Sequence, residues 1–274
     1  MSVDHYENFP VASILLPTSV RQDVIHIYRF ARAADDIADE GDQTASLRRA
    51  ELARFRQALT IISENPATRH LGDADLDAIF VPLGRTIIRH RLPLTLFMDL
   101  LSAFEQDTHV HRYQDEKSLN DYCRRSANPV GRLLLHLFKK TDEESLRQSD
   151  DICTALQRIN FLQDVSIDWD KQRVYLPEQD MKAAGVTEKH IAQKILDPAW
   201  RTLMSQQVNH CRALMQAGAP LGRRLKGRLG LEIRLVVAGG LRILEKIESV
   251  DFDVFNHRPT LDRADWLRII WRAI

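Results

Sequence analysis

Tyr28-Arg29-Phe30-Ala31-Arg32-Ala33-Ala34-Asp35-Asp36-Ile37-Ala38-Asp39 is the stretch from which the rest of the chain can be read. Apolar positions recur here at helical spacing, and Val20, Val24, Ile27 and Ala31 carry the pattern. Side chains three or four apart share a helix face, so Tyr28, Arg32, Asp35 and Asp39 form one polar stripe. The helix is expected to run from a cap at Thr18 or Ser19 to about Asp39. Two carboxylates one turn apart repel, and more so when partly buried. A divalent cation removes that penalty, and Mg²⁺ prefers carboxylate oxygen and bridges to substrate phosphates.

The pattern occurs twice. In Gln157-Arg158-Ile159-Asn160-Phe161-Leu162-Gln163-Asp164-Val165-Ser166-Ile167-Asp168, the residues Gln157, Asn160, Asp164 and Asp168 again share one face. A single stripe of this kind reads as a solvated helix surface. Two copies, each in an apolar helix with amide or arginine partners on the same face, open a second reading. Facing one another across an interior hollow, they would hold a metal cluster that neutralises a diphosphate and makes it a leaving group.

Outward from these stretches, helical periodicity continues. Helices are expected from Ser46 onward, over Leu76–His90 with a kink or break at Pro82, and over Leu94–Glu105. Leu119–Phe138 is helical with an interruption at Asn128-Pro129, and Asp142 to about Trp169 reads as one long helix. Lys171–Thr187 is polar and irregular. Helices resume over Glu188–Met215, Leu231–Ile247 and Thr260 to the end. With no alternating β pattern, no repeat and no Gly/Ser linker, the expectation is all-α: one domain, residues 1–274, of roughly nine or ten helices around a central cavity.

Composition narrows the function. The chain has 274 residues, 44% hydrophobic and 28% charged, with 38 Lys+Arg balancing 38 Asp+Glu. A net charge of zero argues against nucleic acid as a partner. Cys123, Cys153 and Cys211 are scattered and read as free thiols in a reducing compartment. Asp4, Glu7, Pro10 and Pro17 are incompatible with a signal peptide, and no run is long enough to span a bilayer. The expected location is cytoplasmic, unless the protein docks on a membrane surface. The terminal Trp266-Leu267-Arg268-Ile269-Ile270-Trp271-Arg272 is aromatic, apolar and basic, as interfacial helices are, although packing on the core is the simpler reading. Paired Glu-x-x-His motifs of a di-iron bundle are absent. Asp107-Thr108-His109-Val110-His111 reads as a solvated loop. Gly222, Gly227 and Gly230 follow no strand and form no dinucleotide fingerprint.

Leu15-Leu16-Pro17, Ile27-Tyr28, Arg32 and Asp35-Asp36-Ile37-Ala38-Asp39 resemble the first signature of the squalene/phytoene synthases. Tyr122-Cys123, Ala127 and Val130-Gly131 are similar to the middle motif of that family. Gln157-x-x-Asn160-x-x-x-Asp164-x-x-x-Asp168 with Arg173-Val174-Tyr175-Leu176-Pro177 resembles the second signature. The resemblance covers nearly the whole chain, in the family's order. It implies Asp35, Asp39, Asp164 and Asp168 as Mg²⁺ ligands with Asn160 assisting, and Arg32 and Arg173 on diphosphate oxygens. It implies Tyr28 and Tyr122 at the reaction centre, and Phe9, Gln157, Phe161 and Tyr175 in the substrate pocket. Aromatic faces suit a carbocation because the ring quadrupole attracts positive charge.

The opening Glu7–Ser13, the extension Asp39–Asp42 and Ser126–Gly131 resemble the bacterial hopanoid-pathway subgroup, which contains hydroxysqualene synthases. That likeness implies conversion of presqualene diphosphate and water to hydroxysqualene and diphosphate without NADPH. It also makes peripheral membrane contact and neighbouring pathway enzymes sensible partners. The alternatives within the family are condensation of two farnesyl diphosphates, or phytoene-type condensation of geranylgeranyl diphosphate. Gln163, where family members often carry arginine, and Asn128-Pro129, in place of a glycine-containing stretch, fit an enzyme that receives the cyclopropyl intermediate ready-made.

Overall fold

The computed structural model describes residues 17–65 and 68–274, and among these every regular element is a helix. Phe9 and the motif residues upstream of Pro17 lie outside the described residues. The chain divides into two compact units, one of residues up to 110 with 125–146, the other of 111–124 with 147–274.

The first unit is built on α1 (Thr18–Asp39), α2 (Ala45–Glu64), α3 (Ala74–His90) and α4 (Leu94–Asp107). Each contributes one phenylalanine to a common cluster. Phe30 lies 5.8 Å from Phe80 and 5.5 Å from Phe97, both edge-on, and Phe55 lies 5.0 Å from Phe80. Such edge-to-face pairs contribute about 0.5–1.5 kcal/mol beyond the area they bury. Because Phe30, Ala34 and Ala38 face this core, the Tyr28–Asp39 stripe is turned away from it.

The helix ends follow local chemistry. α1 begins at Thr18 with Pro17 in the cap position and no side-chain cap, so neither Thr18 nor Ser19 caps it. Thr44 caps α2 by accepting from Leu47 N, and Asp73 caps α3 by accepting from Asp75 N and Leu76 N. Pro82 sits inside α3 without ending it.

The stretch read as Leu119–Phe138 is two helices, α5 (Glu116–Ser126) and α6 (Asn128–Leu137). The break falls at Ala127. Pro129 is then in the first turn of α6, where a missing N–H costs nothing.

The second unit departs more from the sequence reading. The long helix ends early: α7 is Glu143–Gln163, and α8 (Val165–Asp170) follows after Asp164. The stretch expected to be irregular holds α9 (Glu178–Ala184). The next expected helix splits into α10 (Glu188–Ala192) and α11 (Pro198–Gly218), because Asp197 caps Trp200 N and Pro198 opens a new first turn. Beyond them lie α12 (Leu221–Arg224), α13 (Gly227–Ser249) and α14 (Arg263–Ala273).

Trp200, Met204, Cys211 and Met215 of α11 are buried. Gly240 of α13 leaves the space that Met215 fills: a Cβ there would stand 2.6 Å from Met215 Cε. Gly230 is more constrained, since a Cβ would come within 1.9 Å of Leu225 O. Of the three glycines that form no dinucleotide fingerprint, Gly222 and Gly230 are close-packing residues, while Gly227 takes a φ of 66° with open space around it.

Burial pushes the Cys123 thiol up to about 12 and Cys211 up to about 11, so both are inert core residues. No described helix is long and apolar enough to cross a membrane.

Candidate active site

The α1 stripe is half-buried along its length. Arg32 Nη1 lies 3.3 Å from Asp35 Oδ2, and its Nη2 lies 2.6 Å from Asp36 Oδ1 and 2.7 Å from Glu40 Oε1. Arg32, expected on diphosphate, is thus spread over three carboxylates of its own helix end. The approach to Asp36 Oδ1 is close but poorly directed, and that buried oxygen makes no hydrogen bond. Burial pushes the Asp36 carboxyl above its usual range, and Glu40 and Asp39 add to this against the opposing pull of Arg32.

The second stripe survives the helix break. Asp164 N donates to Asn160 O at 2.9 Å, and Asp168 N donates to Asp164 O at 2.8 Å. These bonds keep the i, i+4 spacing from α7 into α8, so Asn160, Asp164 and Asp168 stay in line. Gln157, Asn160, Asp164 and Asp168 are all half-buried.

α8 ends in a Schellman turn. Gln172 adopts φ 60°, its N–H reaches Trp169 O at 2.8 Å, and Arg173 N reaches Asp168 O at 2.7 Å. The turn returns the chain so that Arg173 follows directly beside the Asp168 backbone.

Next to this stripe stands an aromatic group. Phe161 and Tyr175 are stacked with centroids 3.8 Å apart and planes 2° apart. Tyr122 lies 6.0 Å from Tyr175 and 6.3 Å from Phe161, and Tyr113 lies 5.4 Å from Tyr122 and 5.7 Å from Tyr175. Backbone bonds set this arrangement: Val174 N to His111 O, Glu178 N to Tyr113 O and Gln179 N to Gln114 O. They lay residues 111–114 alongside 174–179. Sequence reading found Tyr122, Phe161 and Tyr175 and missed Tyr113, whose only signal was an aromatic residue in a polar loop.

Arg258 was also missed. It donates through Nη2 to Asp164 Oδ2 at 3.0 Å and through Nε to Asp164 Oδ1. Gln163 Nε2 donates to Pro259 O at 2.7 Å. The departure at Gln163 therefore ties residues 258–259 to the end of α7. At the expected solvated loop, Asp107 is buried at the end of α4, while His109 is exposed.

The donor chemistry fits Mg²⁺. Both stripes offer carboxylate oxygens, and neither offers sulfur or imidazole. Among the described residues no group of three or more His, Cys, Asp or Glu gathers so as to hold a metal ion by itself. Mg²⁺ does not need one, because it usually takes one or two carboxylates and completes its shell with water and phosphate.

An all-α chain with two D-x-x-x-D stripes and an aromatic wall beside one of them has the make-up of an isoprenoid synthase. The squalene/phytoene synthase family profile matches residues 3–265, across both units, and the chain belongs to that family. It is 34% identical over 262 residues to the hydroxysqualene synthase of Zymomonas mobilis, covering 94% of this chain and 82% of that one. It is 32% identical to the hydroxysqualene synthase of Rhodopseudomonas palustris, covering 89% and 80%. Among solved structures it is similar to the squalene synthase HpnC of Alicyclobacillus acidocaldarius, with a TM-score of 0.82, 33% identity and 90% of each chain covered. A dehydrosqualene synthase crystallised with a ligand shares the fold, with a TM-score of 0.79 at 20% identity.

Proposed function

We propose that this protein converts presqualene diphosphate and water to hydroxysqualene and diphosphate, as a step of squalene and hopanoid biosynthesis. The observation that carries this reading is the pairing of the Asn160–Asp164–Asp168 stripe with the Tyr113, Tyr122, Phe161 and Tyr175 rings in one unit. The likeness to hydroxysqualene synthases over about nine-tenths of the chain supports it.

Asp35, Asp39, Asn160, Asp164 and Asp168 would hold Mg²⁺, which when bound neutralises diphosphate oxygens and stabilises the leaving group. Arg32 and Arg173 take diphosphate oxygens through their planar forks. Gln157 continues the polar side of the pocket upstream of Asn160. Tyr28 and the four-ring wall face the hydrocarbon. As the carbon–oxygen bond breaks, the electron pair leaves with diphosphate, and the ring faces stabilise the cation without capturing it. Water then adds through oxygen and loses a proton, so the reaction needs no NADPH. In this reading the enzyme works on the cytoplasmic side with a peripheral contact to the membrane that holds its substrate and product.

The test is incubation of pure protein and Mg²⁺ with presqualene, farnesyl or geranylgeranyl diphosphate, without NADPH, followed by lipid analysis. Hydroxysqualene from presqualene diphosphate alone is the expected result. Conversion of farnesyl diphosphate alone would move the assignment to the condensing reaction, and phytoene from geranylgeranyl diphosphate to the longer-chain one.

A further inference from the structure

We infer that α14 is a membrane-docking surface that lays its outer face into an anionic lipid bilayer. The inference names the surface of the peripheral contact and rests on α14's own geometry, independent of which diphosphate the enzyme consumes.

The helix is held firmly on one side only. Asp262 and Asp265 form a reciprocal capping box. Asp265, Ile269 and Ala273, at i, i+4 and i+8, are buried against α13. Asp265 accepts from Arg242 Nε at 2.6 Å and Lys246 Nζ at 2.5 Å, and Arg234 Nε donates to Ala273 O at 2.5 Å. α14 is therefore an anchored element with a fixed orientation.

Its opposite side is apolar. Trp266, Leu267, Ile270, Trp271 and Ile274 are exposed, from 43% at Trp266 to 91% at Ile274. At 3.6 residues per turn these five span an arc of about 140°. Arg268 borders that arc along one edge and Arg263 stands at its N-terminal end, both exposed, while Arg272 is held by Glu245 of α13 at 2.6 Å. The only acidic side chain within α14, Asp265, is buried and ion-paired. The exposed side of α14 is therefore apolar and cationic in a chain whose formal net charge is zero.

Charge selects the occupant. Arginines flanking an apolar arc complement phosphate headgroups, and tryptophans favour the headgroup boundary. A second copy is less suited. Pairing two such faces would bring like-charged arginine edges together, and five side chains fall short of the roughly 800 Å² per partner of a stable interface.

The test uses the full chain and sedimentation with phosphatidylcholine vesicles, with and without phosphatidylglycerol. The expected result is binding that is about tenfold or more stronger to the anionic vesicles and weakened by salt, with a blue shift in tryptophan emission. Leu267→Ser/Trp271→Ser should lose binding by roughly tenfold or more, and Arg263→Glu/Arg268→Glu should lose the anionic preference. Both variants should keep the wild-type circular dichroism and denaturation midpoint. Absence of wild-type binding, or undiminished binding by Leu267→Ser/Trp271→Ser, would overturn the inference. So would wild-type dimers on light scattering that Leu267→Ser/Trp271→Ser abolishes, because the face would then belong to a second copy. Because no diphosphate enters this assay, failure here is distinguishable from failure of the proposed reaction.

Discussion

Arg258 clamps Asp164 with two nitrogens on two carboxylate oxygens, across 94 residues of sequence. The arginine is about half exposed, so the pair contributes only about 0–1 kcal/mol to stability. A metal ion at Asp164 would compete with that guanidinium for the carboxylate's charge. Arg258→Gln should therefore bind Mg²⁺ more tightly than wild type when titrated calorimetrically without substrate, with little change in denaturation midpoint. Weaker or unchanged Mg²⁺ affinity would separate Arg258 from the metal site.

Asp35→Asn and Asp164→Asn should each reduce turnover by about a hundredfold or more, because a positioned charge is lost where diphosphate leaves. Helix content by circular dichroism should not change, since neither carboxylate caps a helix by a side-chain bond. Full turnover in either variant would remove that aspartate from the site.

In the proposed reaction Phe161 and Tyr175 act through their rings. Tyr175→Phe keeps the 3.8 Å stack and should retain most activity. Tyr175→Leu loses the stacking contribution, about 0.5–1.5 kcal/mol, and one aromatic face of the cation's wall. Its turnover should fall roughly tenfold or more, and product analysis should show altered products. Equal activity of the Leu and Phe variants would reduce Tyr175 to packing.

Arg158 is buried and donates to Gln207 Oε1 at 2.7 Å, to Asn120 Oδ1 at 3.3 Å and to Glu116. It ties α7 to α5, which carries Tyr122, and to α11. Glu116→Ala would leave the guanidinium buried without its counter-charge and should cost roughly 3 kcal/mol in chemical denaturation. Glu116→Gln, which keeps a hydrogen-bond acceptor, should cost less. A loss below that of an ordinary surface substitution would show that Glu116 is not what holds the charge.

Acid should destabilise the protein in two stages through α1 and α3. His26 bonds Thr86 at 2.9 Å, and Thr86 donates to buried Asp23, which also pairs with His90 at 2.9 Å. Burial holds the His26 imidazole below its ordinary value. The unfolded chain therefore takes up that proton first, and stability falls as pH drops below about 6.5. Burial alone would raise Asp23, but its hydrogen bonds from His90 and Thr86 outweigh that and hold it below the usual carboxylate range. Its contribution is complete above about pH 4 and is lost as pH falls further. His26→Gln should flatten the first stage and leave the second, as read from urea midpoints across pH. An unchanged profile would exclude His26.

The sequence by itself determined what depends on spacing along one helix. The Tyr28–Asp39 and Gln157–Asp168 stripes, the all-α class and the break near Pro129 follow from 3.6-residue periodicity and proline geometry, which act over one or two turns. Those rules do not reach across the chain. Asp197 and Pro198, which split the Glu188–Met215 stretch, and the turn at Gln172 are local as well, the turn having no glycine to announce it, but the tie of Gln163 to Pro259 was decided by tertiary context. So were Tyr113 joining the aromatic wall and Arg258 meeting Asp164. Each depends on backbone or ionic contacts between segments far apart in sequence, which no local pattern encodes.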